Sequence, residues 1–444
     1  MTAQFPQPAR AQPRPPRSAY LHIPFCHRRC FYCDFPVVPL GDRAGGEAPA
    51  PGSASIAAYL NLLLQEIAAS PPGPPLATVY FGGGTPSLLT PPQLAALLAA
   101  LRRRFGLAPG AEISLELDPA SFDQARLAGY LQAGVNRVSL GGQSFDDAVL
   151  AGLGRRHGGA DLLEAADWLA QSRRGGALNS WSLDLIQGLP GQGLGHWRGQ
   201  LRQAIALAPP HLSVYDLTLE PGTVFAQRHD RGQLQLPDAD LGADLMELTW
   251  AELSAAGYGH YEISNFALPG HASRHNRAYW SGAGWWGFGM GATAAPWGER
   301  LARPRTREAY AEWLGQQDSQ QVNAVATGQA GPGMPLDERL LVGLRRREGV
   351  FMPALLAQAG LGPGSLVALR DRLQPWTSEG LLRIEGPRWR LSDPAGLALS
   401  NGVLRELLAW WQVQQHLPGQ GDAGWRSSPA ALPPPGPDLA AAVG

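Results

Sequence analysis

Apolar and polar positions follow two alternating periods through the first half of the chain. Short runs rich in β-branched and aromatic residues recur at AYLHI (19–23), ATVYF (77–81), EISLEL (112–117), VNRVSL (135–140), SWSLDLI (180–186) and LSVYDL (212–217). Between them lie longer stretches with helical patterning: SIAAYLNLLLQEIAA (55–69), PPQLAALLAALRRRF (91–105), FDQARLAGYLQAG (122–134), ADLLEAADWLAQS (160–172) and HWRGQLRQAIAL (196–207). Strands separated by crossover helices predict an α/β fold with a parallel sheet. Six such units fit either an open sheet or a partial barrel. The polar motifs choose between them, because they fall at the C-terminal ends of successive strands. A cysteine stretch follows the first strand and GGGTPS (82–87) the second. Glu116 and Asp118 end the third, GGQSF (141–145) follows the fourth, and Asp184 lies in the fifth. Adjacent strand ends feeding one site is barrel behaviour, whereas a doubly wound sheet gathers its ligand contacts at one switch point. The expected fold is a partial (β/α)6 TIM-like barrel.

After about residue 235 the rhythm changes. A helix over DLMELTWAELSAAG (244–257) leads into a segment, 261–293, rich in Gly, Trp and His. A last unit contains two helical stretches, LDERLLVGLRRREGV (336–350) and PGSLVALRDRLQPWTSEGLL (363–382), then a hairpin over LLRIEGPRWRLS (381–392) and a final helix. Helices with a terminal hairpin predict a C-terminal α+β module, winged-helix-like, read as a packing domain rather than a DNA reader. The expected divisions are a disordered Pro- and Arg-rich segment (1–17), the barrel (18–235), an extension (236–334), the C-terminal module (335–416) and a disordered tail (417–444).

Composition narrows the class. With 444 residues, 44% hydrophobic and 16% charged, the chain can build one large core and a smaller one. A net charge of −1 gives no electrostatic reason to expect a nucleic-acid partner. The longest apolar runs, such as QLAALLAAL (93–101), are too short to span a bilayer, and the N-terminus has no apolar signal core. A soluble cytoplasmic protein is expected. Only 3 cysteines are present, which argues against a disulfide framework.

All three, Cys26, Cys30 and Cys33, lie within HIPFCHRRCFYCDF (22–35) in a C-x3-C-x2-C spacing. Thiolates are soft ligands suited to zinc or iron–sulfur clusters. A structural zinc site would need a fourth ligand, which His22 or His27 could supply. A [4Fe–4S] cluster usually takes four thiolates, so three leave one iron with an open position. Three cysteines therefore describe a reactive cluster better than a purely structural one.

With Tyr32 before the last cysteine, this stretch resembles the radical S-adenosylmethionine (SAM) family. The resemblance implies a [4Fe–4S] cluster on Cys26, Cys30 and Cys33 whose open iron is chelated by SAM. It implies that the cluster reductively cleaves the sulfonium to a 5′-deoxyadenosyl radical, the cofactor carrying the hard chemistry. It also assigns SAM contacts to Tyr20, Tyr32, Gly82, Gly83, Gly84, Thr85, Glu116, Gln143, Arg155 and Asp184. The stretches YLHIPFCHRRCFYCDF, YFGGGTPSLL, ELDPA, RVSLGGQSF, LDLIQGLPGQ and SVYDLTLEPGT occur in the order seen in the oxygen-independent coproporphyrinogen III oxidase branch. That branch contains true oxidases, which decarboxylate two propionates of a porphyrinogen, and oxidase-like heme chaperones.

Two features favour the chaperones. True oxidases carry a fourth cysteine two residues after the third, where this chain has Phe35, and a longer region ahead of the cluster loop. In addition, RHNRAYW (274–280) resembles the H-N-x-x-Y-W signature of the chaperone group. His275 offers an imidazole for heme iron, with His271 second. Tyr279, Trp280, Trp285, Trp286 and Phe288 offer flat apolar surface for a porphyrin; alternatively, the aromatic cluster plugs the open side of the barrel. The reading is a chaperone that binds heme and passes it to an acceptor protein the sequence does not identify, membrane-associated acceptors included. The alternative is coproporphyrinogen dehydrogenase.

Overall fold

The computed structural model describes residues 15–316 and 333–415. The proposed disorder of the N-terminal segment and of the tail falls largely on residues 1–14 and 416–444, outside the described residues. Six parallel strands neighbour one another in chain order: β1 (Ser18–Ile23), β2 (Leu76–Gly83), β3 (Leu107–Leu117), β4 (Arg137–Gln143), β5 (Ser180–Gln187) and β6 (His211–Asp216). Helices α1 (Ser53–Ala69), α2 (Pro91–Arg104), α3 (Gln124–Ala133), α4 (Gly159–Arg174) and α5 (Leu194–Ala206) connect them. The register sets Val79 beside Ile113, Leu115 beside Val138, and Leu183 beside Leu212. These apolar positions lie in the main core together with helix residues such as Leu63, Leu97 and Leu201.

The alternate residues of the same strands are polar. Ser139 and Ser182 each donate to Asp184, and the Ser182 and Ser213 hydroxyls hydrogen-bond each other. The period of two thus yields one apolar face against the helices and one polar interior face. The helix boundaries have local causes. In α2, Thr90 caps the first turn through Oγ1, the Gln93 side chain answers at the Thr90 N–H, and Pro91 takes the first helical position.

The extension completes the sheet at both edges. It contains α6 (Ala239–Ala255), β7 (Gly259–Glu262), β8 (Asn265–Ala267), α7 (Arg274–Trp280) and β9 (Trp286–Phe288). Strand β9 adds in parallel to β1, β8 pairs antiparallel with β6, and β7 lies outside β8. Helix α7 lies against the polar interior: the His275 N–H donates to Glu112 Oε1 at 2.9 Å, and Thr78 Oγ1 meets His275 Nδ1 at 2.8 Å.

The last residues have their own core around fully buried Trp389, with Leu340, Leu369 and Val403. It holds α9 (Leu336–Leu344), α10 (Pro363–Arg372), β10 (Val350–Phe351), β11 (Leu382–Glu385), β12 (Arg388–Leu391) and α11 (Ser400–Gln415), with α8 (Arg307–Gln316) preceding it. The expected hairpin is β11–β12, and β10 adds a third, antiparallel strand. The helix expected over 336–350 therefore stops at Leu344. Gly349 has φ 60° and would place a Cβ 2.1 Å from the Trp389 carbonyl oxygen, so the chain turns there into β10. The helix expected over 363–382 is two: a break after Arg372 precedes a short helix at Gln374–Ser378, with Pro375 in its first turn.

One buried ion pair ties α1 to the extension. Glu66 accepts from Arg303 Nε at 2.7 Å, from the Tyr310 hydroxyl at 2.6 Å and from the Gly289 N–H at 2.8 Å. Glu66→Ala leaves that guanidinium buried without its partner, and the expected loss is about 3–5 kcal/mol in urea unfolding. A loss below about 1 kcal/mol would show that Arg303 regains water in the variant.

Candidate functional site

The C-terminal ends of β1–β6 open into a cavity of about 550 Å³. Cys26, Cys30 and Cys33 all line it. The loop that carries them is tied down from several sides. The Thr85 N–H donates to the Phe25 carbonyl at 2.6 Å and the Leu40 N–H to the Cys26 carbonyl at 2.8 Å. The Phe31 N–H donates to the Leu153 carbonyl, and its own carbonyl accepts from Phe225, both at 3.0 Å. Phe31 and Tyr32 pack against Leu153 and Phe225.

The three thiols are free. Burial pushes Cys26 up to about 12 and Cys33 up to about 11, so both are neutral thiols until a cation replaces the proton. Among the described residues, no three His, Cys, Asp or Glu side chains converge on a single-ion position. A cubane several atoms across needs its sulfurs spread around a cavity, so the donor set fits a cluster better than one zinc ion. His22 is not a fourth ligand: its ring nitrogens meet the Tyr20 hydroxyl at 3.0 Å and the Pro36 carbonyl at 3.1 Å. His27 does line the cavity.

Beside the cysteines, Gly83, Gly84 and Thr85 form the adjoining wall. Gly83 has φ 119°, a conformation that side chains avoid. A Cβ on Gly84 would stand 2.6 Å from the Phe25 carbonyl oxygen and 2.8 Å from Cys26 Sγ. Glu116 Oε2 accepts from the Gly83 N–H at 3.0 Å, while its buried Oε1 has no partner. Burial pushes the Glu116 carboxyl up to about 7, and burial likewise raises that of Asp184, against hydrogen bonds from Ser139 and Ser182 that favour the charged form. Arg155 pairs with Asp118 at 2.8 Å, donates to the Gly141 carbonyl at 2.9 Å and reaches Cys30 Sγ at 3.7 Å. Gln143 lines the same space with φ 66°, strained for a non-glycine residue. The wall therefore offers an unsatisfied carboxylate oxygen, close-approach backbone and a fixed cation beside the thiols. That set can hold a ligand carrying both an ammonium and a carboxylate.

Not every residue named from sequence reaches this cavity. Tyr32, Gly83, Gly84, Thr85, Glu116, Gln143, Arg155 and Asp184 line it. Tyr20 and Gly82 sit just below: the Tyr20 ring stacks on Tyr80 at 6.2 Å, and a Cβ on Gly82 would collide with both rings. His275 lies elsewhere. It is 1% exposed, Nδ1 meets Thr78, Nε2 meets the Tyr279 hydroxyl at 2.9 Å, and the ring stacks on Tyr80 at 5.1 Å. With both ring nitrogens engaged, it has none to offer heme iron in this conformation. His271 bonds to Ser180 and Arg173 near the starts of β5 and α4's end, away from the cysteines. Of the aromatic residues offered as porphyrin surface, Tyr279, Trp280, Trp285, Trp286 and Phe288, only Trp280 lines the cavity. Trp286 and Phe288 belong to β9 and pack on Phe105; Trp285 packs edge-on to Tyr279. The cavity is also lined by Met246, Ile263, Arg345 and Asn401, which belong to no recognisable sequence motif.

The radical SAM superfamily profile matches residues 20–199. A Synechocystis protein named "Heme chaperone HemW" is 44% identical over 408 residues, covering 89% of this chain and 97% of that one. An Escherichia coli protein of the same name is 36% identical over 408 residues, covering 90% and 95%. Among solved structures, the E. coli coproporphyrinogen III oxidase HemN, described as a radical SAM enzyme, aligns with TM-score 0.69 over 89% of this chain and 91% of that one. At 24% identity this likeness concerns the fold. From 44% and 36% identity over nearly the full length of these relatives, the chain belongs to the HemW family of radical SAM proteins.

Proposed function

We propose that this protein is a heme carrier: it captures heme at the cavity above the barrel and delivers it to an acceptor protein. The observation that carries this reading is the 44% identity, over 89% of the chain, to a relative named as a heme chaperone. We further propose that Cys26, Cys30 and Cys33 hold a [4Fe–4S] cluster and that SAM lies against Gly83, Gly84, Glu116, Gln143, Arg155 and Asp184. The thiols and the partnerless Glu116 oxygen that share one cavity support it. When bound, such a cluster supplies one-electron chemistry. The chain's own contribution is placement: Arg155 is locked by Asp118 beside Cys30, and Asp184 is held by two serine hydroxyls.

Coproporphyrinogen oxidation is the less favoured reading, because Phe35 stands where the oxidases carry their fourth cysteine. We place the carrier in the cytoplasm; among the described residues no helix is long and apolar enough to cross a membrane. The acceptor is a protein that takes up heme, at a membrane or in solution. The test runs two assays side by side on anaerobically reconstituted protein. Heme titration followed at the Soret band is expected to saturate at a defined stoichiometry. Incubation with coproporphyrinogen III, SAM and a reductant is expected to give no catalytic decarboxylation. Turnover of coproporphyrinogen would reverse the assignment.

A further inference from the structure

The cavity has a second wall, formed outside the barrel strands. Met246 of α6, Ile263, Trp280 at the end of α7, Arg345 at the end of α9, and Leu397 line it. Trp280 packs with Ile263 and with Val342 of α9, which brings the ends of α7 and α9 together. Two buried N–H donors on this wall have no partner: Trp280 Nε1 and Arg345 Nε. The Arg345 guanidinium donates from Nη2 to Asn401 Oδ1 at 3.2 Å, and no carboxylate forms an ion pair with it among the described residues. Burial lowers its pKa, with only the field of Glu262 working the other way. The barrel-side arginines differ in having carboxylate partners, Arg155 with Asp118 and Arg156 with Asp42, although Arg155 Nε and Arg156 Nη1 also lack acceptors; Arg28 and Arg29 are exposed in the cluster loop.

A half-buried guanidinium with no carboxylate partner and an Nε without an acceptor, beside an indole N–H likewise without one and among Met246, Ile263 and Leu397, suits an anionic oxygen attached to a flat apolar body. Resting on the heme-carrier reading above, we propose that this wall is the porphyrin subsite, with Trp280 and Arg345 donating to a heme propionate while Met246, Ile263 and Leu397 cover the macrocycle. The C-terminal module then has a direct part in cargo binding, because Arg345, Leu397 and Asn401 all come from it. The cysteines and the acidic strand ends line the same cavity, so the two ligands would share one space.

The test titrates full-length reconstituted protein with heme and with heme dimethyl ester, following the Soret band. Arg345→Gln and Trp280→Phe are each expected to weaken heme binding about tenfold to a hundredfold, the range for a lost hydrogen bond to a charged group. Arg345→Lys should recover part of the loss by restoring the charge. The ester probe does not depend on a variant folding: it should bind wild type more weakly than heme, and Arg345→Gln should not weaken it further. Equal affinity of wild type and Arg345→Gln for heme overturns the subsite, even if the ester binds poorly, since the propionates would then meet the cluster-loop arginines. Absence of heme binding by wild type overturns the carrier reading itself.

Discussion

Cys30→Ala is expected to hold no iron–sulfur cluster after anaerobic reconstitution. The chain has 3 cysteines and no spare thiolate to recruit. The imidazoles nearby are poor substitutes. His22 is buried, with both ring nitrogens engaged, and burial lowers its pKa to about 4. His27 reaches the cavity, but imidazole is a harder ligand than thiolate for a cluster iron. The loop should survive the change. Its backbone is anchored through Cys26, Phe31 and Leu40, and Cys30 is only half-buried. Circular dichroism and the unfolding midpoint of the apo chain should therefore match wild type while iron and acid-labile sulfide fall to background. A Cys30→Ala protein with a full complement of both would remove the three-thiolate assignment.

The second large effect concerns one methyl group. Gly84→Ala is expected to lose stable cluster retention, together with at least tenfold in SAM affinity. The added Cβ would stand 2.6 Å from the Phe25 carbonyl oxygen and 2.8 Å from both the Pro24 carbonyl oxygen and Cys26 Sγ. Two of these neighbours are backbone, and the Phe25 oxygen already accepts from the Thr85 N–H. The two carbonyls cannot swing aside as a flexible side chain would, so relief must displace the strand end or turn Cys26 Sγ away from its place. Gly199→Ala is the matched control. That position is in α5 with nothing within 4 Å of its would-be Cβ, and the change should stabilise the chain by about 0.5–1 kcal/mol. If Gly84→Ala retains the cluster and binds SAM as wild type does, the close packing of the glycine wall on Cys26 is not what holds the site.

Much of the barrel is legible in the sequence. The six strands lie within about two residues of the positions read from patterning, except that β3 starts earlier, at Leu107. Parallel strands buried on one face and polar on the other leave a strong local signature, and the helices carry caps such as Thr90 with Gln93. The cysteine spacing and the GGGTPS turn were readable for the same reason: the chemistry is packed into a few consecutive residues. The C-terminal module was harder. Its third strand, β10, is only two residues long and exists because of its pairing with Arg388 and Trp389.

By itself, the sequence determined the alternation of strands and helices, the loop that presents three thiols, and the near-full-length kinship with the HemW relatives. Only the tertiary structure decided which side chains share a space. His275 looked available as an iron ligand because nothing local shows that Thr78, 197 residues away, occupies one ring nitrogen. Trp286 and Phe288 looked like porphyrin surface, but pairing with β1 puts them in the core beside Phe105. Arg345 lay within a stretch read only as helical, yet it lines the same cavity as the cysteines and its Nε is buried without an acceptor. Periodicity and spacing are properties of neighbours in the chain, so they survive in sequence. Whether a polar atom is satisfied depends on partners brought from distant segments by packing, and that is settled only when the sheet and its extension close around them.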